Sequence, residues 1–397
     1  LLRIVSLQDV QEVSSIVWDA TLSFIALIVI SLILDSLGFF EWSALHMIRL
    51  SKGNGRRMFI YSIVLGAAVS AIFNNDGAAM ILTPIMLAQV RALKLPEPMV
   101  LPFVMAGGFI ADTTSFPLVI SNLVNIVVSD YFHLPFFAYA FRMFLPNLIS
   151  LGASMGMLFL LYRKSIPQSF DAALLKQPAE AIRSRFLFRY SWLVLALLLA
   201  GYALSVWLKL PLSLVAGLAA LLLVIPAHSA GVVRIPQVVR EAPWHIIIFS
   251  IGMYVVVYGL RNVGLTDLLG QAVASFARHG IVSATIGMGW TAALLSSVMN
   301  NLPSVLIGTL AIDGIRGISN ATREALIYAN VIGCDLGPKM TPIGSLATLI
   351  WLHILNRKGV RITWTYYMKT GILLTVPTLT LALLGLALQL ILLQIPH

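Results

Sequence analysis

The chain has 397 residues, 59% of them hydrophobic and 11% charged, with a mean hydropathy of +0.92. Soluble domains carry about 25% charged residues, so a water-soluble enzyme or binding domain is excluded and a polytopic membrane protein remains. The formal net charge of +10 does not point to nucleic acid, because the basic residues sit in short loops between apolar runs, the positive-inside pattern.

A single cysteine, Cys334, excludes an internal disulfide and a cysteine-based metal cluster. No signal peptide is visible and the first residue is Leu1, so an N-terminal piece of a helix or two is expected to be missing. Residues 1–14 are mixed and polar. The first apolar run, 15–34, ends at Asp35 and leads through Gly38-Phe39-Phe40-Glu41 into the basic loop 49–57. Two apolar arms, 58–73 and 78–92, then flank Asn74-Asn75-Asp76-Gly77. At about 15 residues, or roughly 22 Å of helix, each arm falls short of the ~30 Å hydrocarbon core. The pair reads as a re-entrant hairpin with its tip at mid-membrane. The run 98–128 is interrupted by Gly107-Gly108, Asp112 and Pro117 and leads into Ser121-Asn122-Leu123-Val124-Asn125, which predicts a discontinuous helix. Aromatics at 131–141 suit the membrane interface, 143–162 is an ordinary span, and 163–189 is the longest polar segment, with six Lys or Arg. This divides the chain into a first transmembrane repeat, 1–165, a cytoplasmic linker, 166–186, and a second repeat, 187–397.

The second half opens with spans at 187–207 and 211–228 and then repeats the first. Trp18 matches Trp244, Gly38 matches Gly264, and Asn74-Asn75 matches Asn300-Asn301, all at an offset of 226. Asp112 matches Asp335 and Leu123 matches Leu346 at an offset of 223. A duplicated membrane unit with broken helices in matching positions points to a binding site at the repeat interface. With hairpins at both breaks, 18 of the 26 basic residues fall on one side and 7 on the other, and Lys339 alone lies inside a span. The richer side is cytoplasmic, so the first hairpin enters from the cytoplasm and the second from outside. The expected fold is an all-α polytopic membrane protein of two inverted repeats, each with a re-entrant hairpin and a discontinuous helix.

An unpaired polar group in hydrocarbon costs several kcal/mol, so the tips and breaks hold the candidate functional residues. Asn74, Asn75, Asn300 and Asn301 either cap the helix ends at the turn or contact a substrate, and the two roles are compatible. Asn122, Asn125, Ser345 and Thr348 are either binding groups or interhelical contacts of about 0.6 kcal/mol each. Asp76 and Asp112 have no basic neighbour in sequence and read as proton carriers. Asp335 precedes Lys339 by four residues, on one face if the segment stays helical, and the two form either a neutralising pair or one half of an exchange. In the exchange, Lys339 pairs with Asp112 or Asp335 according to protonation. Asp19 and Asp35 read as solvated at the membrane edge. There is no His-Glu-x-x-His, no phosphate-binding loop and no nucleophile–base pair in the spans. The reading is of a non-enzyme without cofactor or metal.

Six runs resemble a known family: Phe73-Asn-Asn-Asp-Gly-Ala-Ala-Met-Ile-Leu-Thr-Pro84, Gly108-Phe-Ile-Ala-Asp112, Ser121-Asn-Leu-Val-Asn125, Ala242-Pro-Trp244, Tyr328-Ala-Asn-Val-Ile-Gly-Cys-Asp-Leu-Gly-Pro-Lys339 and Thr341-Pro-Ile-Gly-Ser-Leu-Ala-Thr348. They resemble the arsenical pump membrane proteins, the arsenite/antimonite efflux permeases (ArsB type) of the ion transporter superfamily, from about residue 10 to the C-terminus. The resemblance implies export of arsenite and antimonite, as neutral trihydroxides, across the inner membrane of a bacterium or archaeon in exchange for protons. It also implies, in some members, a soluble arsenite-stimulated ATPase on the cytoplasmic side, for which the basic segment 163–189 is a candidate surface. Amides and hydroxyls suit a small neutral polyol. One cysteine is too few for a thiolate site. The alternatives are a sodium/proton or other ion antiporter of the same superfamily, and a passive metalloid channel. Inverted repeats with broken helices favour a carrier.

Overall fold

The computed structural model describes residues 7–393 apart from 74, 209 and 243. The first half runs through α1 (Leu7–Ser36), α2 (Phe39–Leu50), α3 (Gly55–Phe73), α4 (Asn75–Ala92), α5 (Glu97–Thr113), α6 (Leu123–Tyr131) and α7 (Phe136–Tyr162). Three helices follow: α8 (Arg185–Leu208), α9 (Leu212–Ser229) and the short α10 (Ile235–Glu241). The first order then recurs as α11 (His245–Asn262), α12 (Leu265–Ala277), α13 (Ile281–Met299), α14 (Asn301–Asp313), α15 (Asn320–Leu336), α16 (Leu346–Arg357) and α17 (Trp364–Leu392). Among the described residues, α1, α3, α7, α8, α9, α13 and α17 are long and apolar enough to cross a membrane. Helices satisfy their own backbone groups, which lipid cannot do for them.

The recurrence is geometric as well as sequential. Gly38 (φ 83°) joins α1 to α2 and Gly264 (φ 85°) joins α11 to α12, a left-handed conformation that glycine adopts without a Cβ penalty. Helices α3 and α13 both have 19 residues, and α5 and α15 both have 17. The breaks fall earlier than Gly77 and Pro303 suggested. Helix α4 starts at Asn75 and α14 at Asn301, so both helix-breaking residues sit in a first turn. There the backbone N–H that proline lacks has no intrahelical partner anyway. The hairpin arms are correspondingly longer than the apolar runs 58–73 and 78–92. The extra turn of α3 carries Arg56 and Arg57, both exposed.

Loop contacts sort the helix ends onto two faces. On the first, Asn54 forms an antiparallel bridge with Ser169, Lys176 pairs with Glu41 at 2.7 Å, and Arg49 donates to the Leu175 carbonyl at 3.0 Å. Arg91 donates to the Lys358 carbonyl at 2.7 Å, and the hydroxyls of Tyr162 and Tyr366 meet at 2.9 Å. Four of the five basic loops thus meet on one face, and the linker is stitched onto the α2–α3 loop. On the second face Tyr131 bonds Asp313 at 3.3 Å, Arg142 pairs with Glu324 at 2.9 Å, and Gln389 donates to the Phe141 carbonyl at 2.7 Å. Both outer ends of α3 and α4 lie on the first face. The α5–α6 pair therefore runs from the first face to the second, and α15–α16 runs back.

Close approach of α13 and α15 holds the second discontinuous helix. A Cβ on Gly333 would fall 2.2 Å from the Gly289 carbonyl oxygen, and one on Gly337 2.3 Å from that of Ala293. Small residues let helix backbones touch where no hydrophobic effect drives them together.

Candidate functional site

Both discontinuous helices stop at a carboxylate. Helix α5 ends at Asp112-Thr113, and the chain passes through a 3-10 turn at Val119–Ser121 before α6. Helix α15 ends one residue beyond Asp335, and two 3-10 turns, Gly337–Met340 and Pro342–Gly344, lead to α16. Backbone groups released by the first break find side-chain partners. Asn125 Nδ2 donates to the carbonyls of Ser115 (2.8 Å) and Leu118 (3.0 Å), Ser115 Oγ donates to that of Asp112 (2.8 Å), and Asn122 Oδ1 accepts from Val124 N (3.2 Å). Such substitution is what allows an irregular backbone at membrane depth.

Lys339 bridges the two halves of the chain. Its Nζ lies 2.6 Å from Asp112 Oδ2, with the two side chains only 4% and 3% exposed, and it donates to Thr348 Oγ1 at 3.1 Å. Asn75 Nδ2 donates to the other Asp112 oxygen at 2.9 Å. Asp112 sits at the C-terminal, electronegative end of its own helix; the ammonium and the electropositive start of α4 at Asn75 offset that. The i, i+4 pair between Asp335 and Lys339 does not form. Helix α15 stops at Leu336, and the tighter 3-10 turn places Lys339 beside Asp112 instead. Asp335 Oδ1 accepts from Asn122 Nδ2 at 2.7 Å; its Oδ2, like Asn75 Oδ1, is buried with no hydrogen-bond partner among the described residues. Asn122 Nδ2 also reaches Ser115 Oγ at 3.4 Å, and that hydroxyl bonds the backbone carbonyl of Asp112, which ties the second carboxylate to the first break.

The other described sequence candidates, Asn300, Asn301, Asn125 and Ser345, are placed elsewhere. Asn300 (φ 83°) and Asn301 both direct Oδ1 to Leu302 N, at 3.4 and 3.0 Å, so they cap the start of α14. Asn125 is committed to its own loop, and Ser345 is buried at the start of α16 without a capping bond. Asn74 and the side chain of Asp76 lie outside the described residues. Cys334 is buried, with Sγ 3.7 Å from Asn330 Oδ1. Asp19, expected to be solvated, is buried instead; its carboxylate accepts from Leu212 N (3.0 Å) and Ser213 N (2.8 Å) and caps α9. It borders a cavity of about 730 Å³ on the second face, together with Asp130, His133 and Val119 of the first helix break.

Three residues that border the site were not among the sequence candidates. Tyr367, whose hydroxyl lies 3.4 Å from Thr348 Oγ1, is one of several aromatics at a membrane edge. Ser115 belongs to no motif. Asn330 is a fully buried amide within the run 328–339; its Nδ2 donates to the Val305 carbonyl at 3.0 Å and ties α15 to α14. An amide inside an apolar helix was the signal available for it.

A sequence profile of the arsenical pump membrane proteins matches residues 1–390. The chain is 52% identical over 382 residues to the arsenical pump membrane protein of Escherichia coli (strain K12), covering 96% of this chain and 89% of that protein. It is 51% identical over 387 residues to that of Yersinia enterocolitica, covering 98% and 90%. Among solved structures it is similar to the YdaH transporter of Alcanivorax borkumensis, with a TM-score of 0.58 and 15% identity over 95% of this chain and 86% of that one. At that identity the likeness concerns the fold. The family match over nearly the whole length and the half-identical relatives show that this chain belongs to the arsenical pump membrane protein family, the multi-pass inner-membrane transporters of arsenical efflux.

Proposed function

We propose that the protein exports arsenite and antimonite as neutral trihydroxides in exchange for protons, by alternating access between two inverted repeats, 1–165 and 187–397, joined by the linker 166–186. The opposite courses of α5–α6 and α15–α16 between the two faces support the inversion. The observation that carries the proposal is the buried Lys339–Asp112 pair set among spare acceptors. A trihydroxide brings three O–H donors, and Asn75 Oδ1 and Asp335 Oδ2 at the tip and the break have no hydrogen-bond partner among the described residues. The solute is neutral, so Lys339 need not balance a charge on it and can serve the proton. Protonation of Asp112 cancels its charge and releases its hold on Lys339, which alters the contact between the repeats. A lone buried charge is costly, so each protonation state favours a different arrangement of the two broken helices.

The test is arsenite uptake into everted membrane vesicles, acidified inside and without ATP, for the wild type and for Asp112→Asn. Gradient-driven uptake that the substitution abolishes is expected. Uptake indifferent to the gradient would mean a channel, and sodium-dependent proton movement without arsenite uptake an ion antiporter.

A further inference from the structure

The ion pair has a hydrogen-bonded connection towards the first face. Lys339 Nζ donates to Thr348 Oγ1 at 3.1 Å, and Thr348 Oγ1 lies 3.4 Å from the Tyr367 hydroxyl. All three side chains are buried. Tyr367 belongs to the first turn of α17, and its neighbours Thr363, Trp364 and Thr365 are exposed. Lys339 packs beside Gly371, one turn deeper, so the chain spans roughly 10 Å of helix, seven residues at 1.5 Å each, from the ion pair to the exposed end of α17.

A second observation points to water at the same place. Lys339, Trp351 and Tyr367 line a small cavity of about 10 Å³ with Phe109, Met105 and Leu374. That is about the room one water needs. Trp351 lines it, and its indole Nε1 is buried with no hydrogen-bond partner among the described residues. A water there would sit beside Trp351, Tyr367 and Lys339, the lining residues whose side chains can hydrogen-bond.

We infer that Thr348, Tyr367 and a water held by Trp351 form the cytoplasmic branch of the proton path, with Lys339 as the group that releases the proton. This rests on the proposed proton exchange and adds to it the direction of release. The steps balance. A proton arriving from the outer face converts the Asp112 carboxylate to a carboxylic acid. The Lys339 ammonium, its partner now neutral, passes one proton to Thr348 Oγ1, whose own proton moves to the Tyr367 oxygen, and the Tyr367 proton leaves through water to the first face. The carboxylic acid and the neutral amine then exchange one proton and restore the ion pair. One proton has entered, one has left, and no residue is changed. Tyr367 touches neither solute nor Asp112 in this scheme; its part is to connect.

The experiment separates exchange from drive. Everted vesicles are loaded with unlabelled arsenite, and entry of radiolabelled arsenite is followed without a proton gradient. Gradient-driven uptake is measured in the same preparation. Tyr367→Phe is expected to keep counterflow within about twofold of the wild type and to lower gradient-driven uptake at least tenfold. Tyr367→His, which restores a group that both donates and accepts, is expected to recover most of the drive. A Tyr367→Phe protein that keeps full gradient-driven uptake overturns the inference. So does one that loses counterflow and drive together, since that marks a packing role. Absence of counterflow in the wild type would instead remove the arsenite reading itself, a distinguishable result.

Discussion

Removing one partner of the Lys339–Asp112 pair tests whether the buried charges depend on each other. At 2.6 Å and an effective dielectric of 20, their gross attraction is about 6 kcal/mol. Desolvation of two nearly buried groups cancels much of that, so the pair contributes little net stability, yet the loss of one member costs about 3–5 kcal/mol. Lys339→Met leaves a carboxylate whose remaining described partner is the Asn75 amide, and Asp112→Asn leaves a buried ammonium. The double substitution removes both charges, preserves an oxygen for the Asn75 donor, and should cost below about 1 kcal/mol. Unfolding free energies in mixed micelles across this double-mutant cycle should show a coupling of at least ~2–3 kcal/mol. Proton-driven uptake should be absent in all three variants, including the stable double. Additive losses, within about 0.5 kcal/mol, would refute the view that the two groups form one electrostatic unit.

Three other outcomes follow from the same geometry. Asn122→Ala withdraws the donor from Asp335 Oδ1 and should cost about 1–3 kcal/mol, while Asn122→Asp, which sets two carboxylates together, should be worse; thermal retention of folded protein in detergent ranks them, and equal losses would count against the contact. Gly333→Leu should prevent correct assembly, because its Cβ alone would fall 2.2 Å from the Gly289 carbonyl oxygen, whereas Gly217→Ala meets nothing within 4 Å. Size-exclusion chromatography in detergent distinguishes the two, and a monodisperse Gly333→Leu protein would contradict the α13–α15 packing. Asp19→Ala removes the cap of α9 and should lower stability by about 1–2 kcal/mol while leaving the proton dependence of uptake unchanged, measured as the ratio of driven uptake to counterflow.

Membrane residence, the helical class and the duplicated order were legible in the residues, since lipid allows few ways to satisfy a backbone and the offsets of 226 and 223 are carried by the chain itself. The Asn-Asn pairs also marked the breaks, although Gly77 and Pro303 fall inside a helical first turn rather than ending one. What an amide does once it is there was not legible. Asn75 reaches across to Asp112 while Asn300 and Asn301 cap their own helix, and the same residue type at matching positions serves both ends. Tertiary structure alone decided between Asp112 and Asp335 as the partner of Lys339. Periodicity offered Asp335, four residues away, but that rule holds only while a helix continues, and α15 stops at Leu336. The carboxylate that Lys339 meets lies 227 residues earlier in the chain, brought there by the meeting of two broken helices, and no local pattern encodes such a distance.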